Sequence, residues 1–209
     1  MNLPNKLTML RMALVPFFVF FTLADFIPHH LLIAGLIFGA ASYTDHLDGK
    51  IARRDNLITN FGKLMDPLAD KIMVMSALVC FVATGFTNVW FVLLIMVREF
   101  AVTSIRLIAV ENGKVIPANN WGKAKTVSQI AAICVIFLLQ YVLELDALGL
   151  VALPAIETVQ AVFYWIGFAL MGVAALLAVV SGVIYAKDSA GLFRDKSVSY
   201  THLRAHETG

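Results

Sequence analysis

The sequence predicts an all-α integral membrane protein with six transmembrane helices. Of its 209 residues, 60% are hydrophobic and only 14% are charged, and the mean hydropathy is +0.82. A soluble domain of this size is less apolar. Apolar runs close to the roughly 20 residues that cross a bilayer recur along the chain. The formal net charge of +2 is uninformative as a total. No nucleic-acid partner is predicted.

Six segments have the length and composition of spans: 9–27, 31–50, 66–85, 88–110, 123–145 and 158–186. The first is not a cleavable signal peptide, because it lacks a small-x-small cleavage site and contains Arg11. A short amphipathic segment precedes it, with leucines on one side and Lys6 on another, which is typical of an interfacial anchor helix. Residues 1–196 form one membrane domain in this reading. The polar residues 197–209 are predicted to be a non-native or disordered tail.

Charge patterning predicts the orientation in the membrane. The 16 Lys and Arg residues lie at the N-terminus, around the second and fourth connections and in the C-terminal tail. The first, third and fifth connections carry acidic residues instead: Asp25, Glu144, Asp146 and Glu157. By the positive-inside rule, both termini and the second and fourth connections are cytoplasmic.

Four carboxylates cluster around the second connection in an otherwise apolar chain. Asp45 and Asp48 are three residues apart, and Asp66 and Asp70 are four apart, so each pair shares a helix face. Clustered carboxylates repel one another unless protons or cations neutralise them. Oxygen-only ligands suit Mg²⁺ or Mn²⁺, and two such ions bridging phosphate oxygens would make a phosphoryl-transfer site. The turn between the pairs faces the cytoplasm in this topology.

The pattern D-x2-D-G-x2-A-R-x8-G-x3-D-x3-D over residues 45–70 resembles the signature of the CDP-alcohol phosphotransferase family at every fixed position. The resemblance implies that the four aspartates hold the two ions, and that Asp70 is also the general base. The opening residues 2–11, Pro-Asn-x2-Thr-x2-Arg at their centre, are similar to the segment that lies beside the nucleotide in many members. The resemblance implies a CDP site formed by Thr8, Arg11, Asp48, Gly49, Ala52, Arg53 and Gly62.

The fourth span contains charges at membrane depth, which by default mark a site or a water-filled cavity. Arg98 and Arg106 are eight residues apart and share a helix face. With Lys123 at the start of the fifth span, they could hold a second anionic group such as a substrate phosphate. The alternative is that Arg98 pairs with Glu99 or Asp70. Lys114 and Lys125 are interpreted as ordinary positive-inside residues.

The stretches 98–106 and 113–126 resemble the bacterial branch of the family whose acceptor is glycerol 3-phosphate. The implied reaction transfers a phosphatidyl group from CDP-diacylglycerol to glycerol 3-phosphate and gives phosphatidylglycerophosphate and CMP. The implied location is the bacterial inner membrane, with the active site at the cytoplasmic face, membrane lipids around it and a homodimer as the assembly.

Two alternatives stay open at this point. Within the family, the acceptor could be inositol phosphate, serine or phosphatidylglycerol, as in phosphatidylinositol-phosphate, phosphatidylserine and cardiolipin synthases. Of another class, a cation transporter could use intramembrane carboxylates. Two observations disfavour a transporter: the sequence has no second acidic cluster on the outer side, and it has no visible internal repeats.

Overall fold

The computed structural model describes the backbone of residues 3–54, 60–111 and 120–204, and the side chains of residues 6–44, 68–69, 71–109 and 120–189. These backbone ranges fold into six helices and no strand. The helices are α1 (Leu3–Leu23), α2 (His30–Arg54), α3 (Asn60–Ala83), α4 (Val89–Glu111), α5 (Asn120–Ala147) and α6 (Ile156–Arg204).

Each predicted span overlaps one helix, and the helix bounds differ from the span bounds at both ends of the chain. The opening segment is not a separate anchor helix, because α1 runs without a break from Leu3 to Leu23. Pro4 does not interrupt it, since a proline in the first helical turn needs no amide donor. At the other end α6 continues to Arg204, so residues 197–204 are helical. Residues 205–209 lie outside the described part of the chain.

Among the residues whose side chains are described, three helices are long and apolar enough to cross a membrane: α1 over Lys6–Leu23, α5 over Asn120–Ala147 and α6 over Ile156–Ser189. Shorter apolar stretches occupy His30–Thr44 in α2 and Lys71–Ala83 in α3. Helix α4 is continuous over 23 residues, but its apolar sequence contains three charged residues, Arg98, Glu99 and Arg106. These lengths and compositions fit a membrane protein, and the count of six spans stays a prediction.

The chain divides into two compact units. Unit 1 comprises Met1–Val89 and Ile130–Met171, and unit 2 comprises Trp90–Gln129 and Gly172–Gly209. In unit 1, α1 packs against both α2 and α3, and α2 contacts α3. In unit 2, Gly172 lets α6 approach α4, because a Cβ there would lie 3.5 Å from the Phe91 ring.

Aromatic side chains form the centre of unit 1. The ring of Phe137 on α5 lies 5.8 Å from Phe18, 6.4 Å from Phe38 and 4.9 Å from Phe81, centroid to centroid. All four rings are buried. Because they come from α1, α2, α3 and α5, their tilted and edge-on contacts join these helices in one core.

Polar contacts join α5 to the start of α2 and to the first connection at one end of unit 1. Glu144 near the end of α5 accepts a hydrogen bond from the backbone N–H of Leu31 at 3.2 Å, so its carboxylate lies at the N-terminus of α2. An acidic group stabilises a helix at that end. The neighbouring His29 is hydrogen-bonded to the Tyr141 hydroxyl at 3.1 Å. The first and fifth connections therefore lie at the same end of unit 1.

Candidate functional site

The two aspartate pairs lie at matching levels of α2 and α3. Asp48 precedes the last residue of α2 by six positions, and Asp66 follows the first residue of α3 by six. At a rise of about 1.5 Å per residue, each lies about 9 Å along its axis from the connection. Asp45 and Asp70 lie about one turn further away on the same helices. Helices α2 and α3 are consecutive, contact each other and both belong to unit 1.

The side chains of these aspartates lie outside the described residues, as do those of Gly49, Ala52, Arg53 and Gly62. Among the described side chains there is no group of three or more His, Cys, Asp or Glu residues that could hold a metal ion. The assignment of a metal site to the aspartate pairs on α2 and α3 stays a prediction.

Helix α1 contributes two buried polar side chains to unit 1. Thr8 is fully buried and Arg11 is 2% exposed. They are three residues apart, so they share a face of α1. Neither is without an interaction partner, which agrees with the high cost of burying an unpaired arginine. The predicted CDP-binding residues of α1 thus belong to the helix that packs against both aspartate-bearing helices.

Unit 2 contains a half-buried charge cluster, which we call the Glu99 cluster: Arg98, Glu99, Lys125 and Ser181. Glu99 Oε1 accepts hydrogen bonds from Arg98 Nη1 at 2.7 Å and from Lys125 Nζ at 2.5 Å. The side chains of Arg98 and Glu99 are each 13% exposed, and that of Lys125 is 5% exposed. The formal charges of Arg98, Glu99 and Lys125 sum to +1, and Lys125 has a further interaction outside these contacts. Charged N–H donors such as those of Arg98 and Lys125 form strong hydrogen bonds to an anion.

Helix α6 holds the other side of Arg98. Arg98 Nε donates a hydrogen bond to Ser181 Oγ at 3.1 Å. Gly182 lies against the stem of the same side chain, since a Cβ there would meet Arg98 Cγ at 2.9 Å. The pairing of Arg98 with Glu99, which the sequence offered as the alternative to a phosphate-binding role, is thus present, and Arg98 contacts α6 as well.

The other two predicted acceptor residues are placed differently. The Arg106 guanidinium carbon lies 6.0 Å from the centre of the Tyr185 ring, within the range of a cation–π contact. Lys123 is exposed, whereas Lys125 is buried. The cation that joins Arg98 around Glu99 is thus Lys125, which the sequence analysis interpreted as an ordinary positive-inside residue. The sequence signal for Lys125 is Glu99, because a carboxylate at membrane depth can accept hydrogen bonds from a second cation besides the neighbouring Arg98.

Further polar groups lie buried in unit 2 near the same helix faces. Gln129 follows Lys125 by one turn on α5, and Tyr185 follows Ser181 by one turn on α6. Gln129 Nε2 and Tyr185 Oη are buried and have no hydrogen-bond partner within the described part of the chain. Buried polar groups are normally hydrogen-bonded, so these two are available for contacts with a polar ligand.

Comparison with known proteins gives one family. The model of the CDP-alcohol phosphatidyltransferase family matches residues 1–184. A Bacillus subtilis protein named CDP-diacylglycerol–glycerol-3-phosphate 3-phosphatidyltransferase is 45% identical over 148 residues, which cover 66% of this chain and 77% of the relative. A Mycobacterium tuberculosis protein named probable phosphatidylglycerophosphate synthase is 37% identical over 189 residues, which cover 88% of this chain and 79% of the relative.

A third relative, from Mycoplasma pneumoniae, carries the same name as the Bacillus protein and is 37% identical over 156 residues. That match covers 65% of this chain and 69% of the relative. The family match contains both aspartate pairs, the Glu99 cluster and most of α6. The chain therefore belongs to the CDP-alcohol phosphatidyltransferase family and is a membrane transferase of phospholipid biosynthesis.

Proposed function

We propose that this protein transfers the phosphatidyl group from CDP-diacylglycerol to glycerol 3-phosphate, giving phosphatidylglycerophosphate and CMP. The observation that carries the proposal is the Glu99 cluster, a positively charged and mostly buried group on α4, α5 and α6. A phosphorylated acceptor needs such a group, whereas an uncharged alcohol does not. The names of the relatives support the same acceptor.

The aspartates fit a divalent metal centre. They supply only oxygen ligands, which Mg²⁺ and Mn²⁺ prefer, and they lie at matching levels of two contacting helices. The family generally uses divalent metal ions. We assign two Mg²⁺ or Mn²⁺ ions to Asp45, Asp48, Asp66 and Asp70. Bound there, the ions would supply positive charge against the pyrophosphate of the donor.

Asp70 is the proposed general base. It would take the proton from the acceptor hydroxyl as that oxygen forms a bond to the phosphorus that bears the diacylglycerol. The bond from this phosphorus to the CMP oxygen breaks, and CMP leaves with the electron pair. The reaction exchanges the phosphoanhydride bond of the donor for a phosphodiester bond, so it needs no oxidant or further co-substrate. The apolar helices allow the acyl chains to stay in the bilayer throughout.

The CDP part of the donor is assigned to the N-terminal half of α1 and to the aspartate-bearing segments. Buried Thr8 and Arg11 support this assignment, because α1 packs on both α2 and α3. The remaining proposed CDP-binding residues are Asp48, Gly49, Ala52, Arg53 and Gly62. Small residues among them would let the nucleotide approach the helix backbone closely.

The acceptor phosphate is assigned to Arg98, Arg106 and Lys123, with Lys125 added from the structure. Arg98 and Lys125 are held together by Glu99. Arg106 is on the same helix as Arg98, and its guanidinium lies near the Tyr185 ring. Exposed Lys123 would contribute long-range attraction for the anion more than a fixed hydrogen bond.

The active site is proposed to face the cytoplasm of a bacterial inner membrane. Positive charge around the second and fourth connections supports this orientation. The first and fifth connections lie together at one end of unit 1, as chain crossings that alternate in direction require. A homodimer is also proposed from the family resemblance, and light scattering of the detergent-solubilised protein would test it.

The experiment is a measurement of CMP release from CDP-diacylglycerol by the purified protein in detergent with Mg²⁺ or Mn²⁺. Glycerol 3-phosphate, inositol phosphate, serine and phosphatidylglycerol are supplied in parallel. Release with glycerol 3-phosphate alone is the expected result. Release with another acceptor would keep the family reaction and overturn the acceptor assignment. No release from folded protein would overturn the proposed reaction and favour a function such as cation transport.

A further inference from the structure

We propose that Ser181 and Gly182 of α6 are positioning residues, which hold the Arg98 guanidinium in one orientation for the acceptor phosphate. This inference rests on the proposed function, because it requires that Arg98 binds that phosphate. All three residues belong to unit 2. The sequence pattern does not indicate a role for Ser181 or Gly182, because α6 has no charged residue between Glu157 and Lys187.

The hydroxyl of Ser181 is committed as an acceptor toward Arg98. Ser181 Oγ donates its only hydrogen to the backbone carbonyl of Ala178 at 3.0 Å. Its lone pairs are therefore the groups that face Arg98 Nε, which donates at 3.1 Å. Ser181 is 3% exposed, so water could not easily take its place if the hydroxyl were removed. The hydrogen bond thus has a fixed direction and a fixed partner.

Two partners on different helices then fix the plane of the guanidinium. Nε is held by Ser181 on α6, and Nη1 is held by Glu99 on α4 at 2.7 Å. The third nitrogen, Nη2, has no hydrogen-bond partner within the described part of the chain. It lies 3.8 Å from the position of a Cβ on Gly122, at the start of α5. A guanidinium that is held at two nitrogens and open at the third is preorganised to donate to an anion.

Gly182 provides the space for this arrangement. A Cβ at Gly182 would lie 2.9 Å from Arg98 Cγ and 3.8 Å from Arg98 Cβ. Cγ is close to the backbone of α4, so it cannot move away without shifting the whole side chain. An alanine at this position would therefore displace Arg98 from Ser181, even though the Ser181 hydroxyl is unchanged.

The test measures KM for glycerol 3-phosphate, KM for CDP-diacylglycerol and kcat of the full chain in detergent micelles. Ser181→Ala should raise KM for glycerol 3-phosphate about tenfold, the effect of one hydrogen bond to a charged group. KM for CDP-diacylglycerol should stay unchanged. Gly182→Ala should shift the same constant in the same direction. The matched control is Ser189→Ala, because Ser189 is a buried serine of α6 that donates to the Tyr185 carbonyl of its own helix at 2.7 Å.

Arg98→Ala separates this inference from the proposed function. If Arg98→Ala raises KM for glycerol 3-phosphate and neither α6 variant does, the positioning role is overturned and the acceptor site stands. If Arg98→Ala leaves that constant unchanged, the acceptor assignment fails and the positioning role fails with it. Equal losses in Ser181→Ala and Ser189→Ala would also overturn the inference, since a general packing defect would explain both. In an Arg98→Lys background, Ser181→Ala should have no further effect.

Discussion

Glu99→Gln tests the charge balance of the unit 2 cluster. Glu99 is the carboxylate that accepts from both Arg98 and Lys125. Glutamine has nearly the same shape and keeps one oxygen acceptor, so the substitution removes the negative charge with little change in volume. Both cations would then lose the negative charge of the partner that they share, in a place where the Lys125 side chain is only 5% exposed.

The size of the effect follows from the burial. Removing one partner of a buried ion pair costs about 3–5 kcal/mol, because an uncompensated charge remains. The cost is lower here for two reasons. Arg98 and Glu99 are each 13% exposed, and the glutamine keeps one oxygen acceptor. We expect a loss of about 2–3 kcal/mol in the free energy of unfolding. The KM for CDP-diacylglycerol should change little, since that substrate is assigned to unit 1.

Denaturant unfolding of the protein in mixed micelles measures this loss. Glu157→Gln is the matched control, because Glu157 is an exposed glutamate of α6, and its change should stay within about 0.5 kcal/mol. Adding Lys125→Met to Glu99→Gln should recover part of the stability, since it removes one of the two cations that lost their contact with the Glu99 carboxylate. A Glu99→Gln protein as stable as the wild type would refute the reasoning, because the cluster would then not depend on charge neutralisation.

Three further outcomes are expected. Asp70→Asn should keep the thermal unfolding profile and CDP binding but lose turnover; turnover near the wild-type rate would remove Asp70 from the role of base. Chelation of divalent ions should abolish CMP release, and Mg²⁺ or Mn²⁺ should restore it, whereas activity in excess chelator would contradict the metal assignment. Tyr185→Leu should raise KM for glycerol 3-phosphate about two- to fivefold through loss of the cation–π contact with Arg106, and an unchanged constant would show that this contact does not support acceptor binding.

The positions of the helices could be predicted from the sequence, because apolar runs of bilayer length leave few alternatives to a helix. Their ends could not. The opening segment was expected to be a separate anchor helix, yet Pro4 lies in the first turn of α1 and nothing after it stops the helix. The division into two units within α5 and α6 also has no signal in the sequence, since both helices are apolar across it.

Part of the candidate site could be predicted from the sequence, and part could not. The aspartate pattern was found because its spacing is specific, and α2 and α3 carry the two pairs at matching levels. The cations were harder to rank, because Lys123 and Lys125 differ by only two positions. Which of them points into the protein depends on the packing of α5, and that packing buries Lys125 beside Glu99. Ser181 and Gly182 had no chemical signal at all, since a serine and a glycine in an apolar helix usually only pack.

The most direct test of the account is the product balance of the purified protein with CDP-diacylglycerol, glycerol 3-phosphate and Mg²⁺, followed by mass spectrometry of the lipid and quantification of CMP. Wild-type protein should form phosphatidylglycerophosphate and CMP in equal amounts, and Asp66→Asn should form neither. CMP without the lipid product, or equal product from Asp66→Asn, would contradict the proposed transfer at the aspartates of α2 and α3.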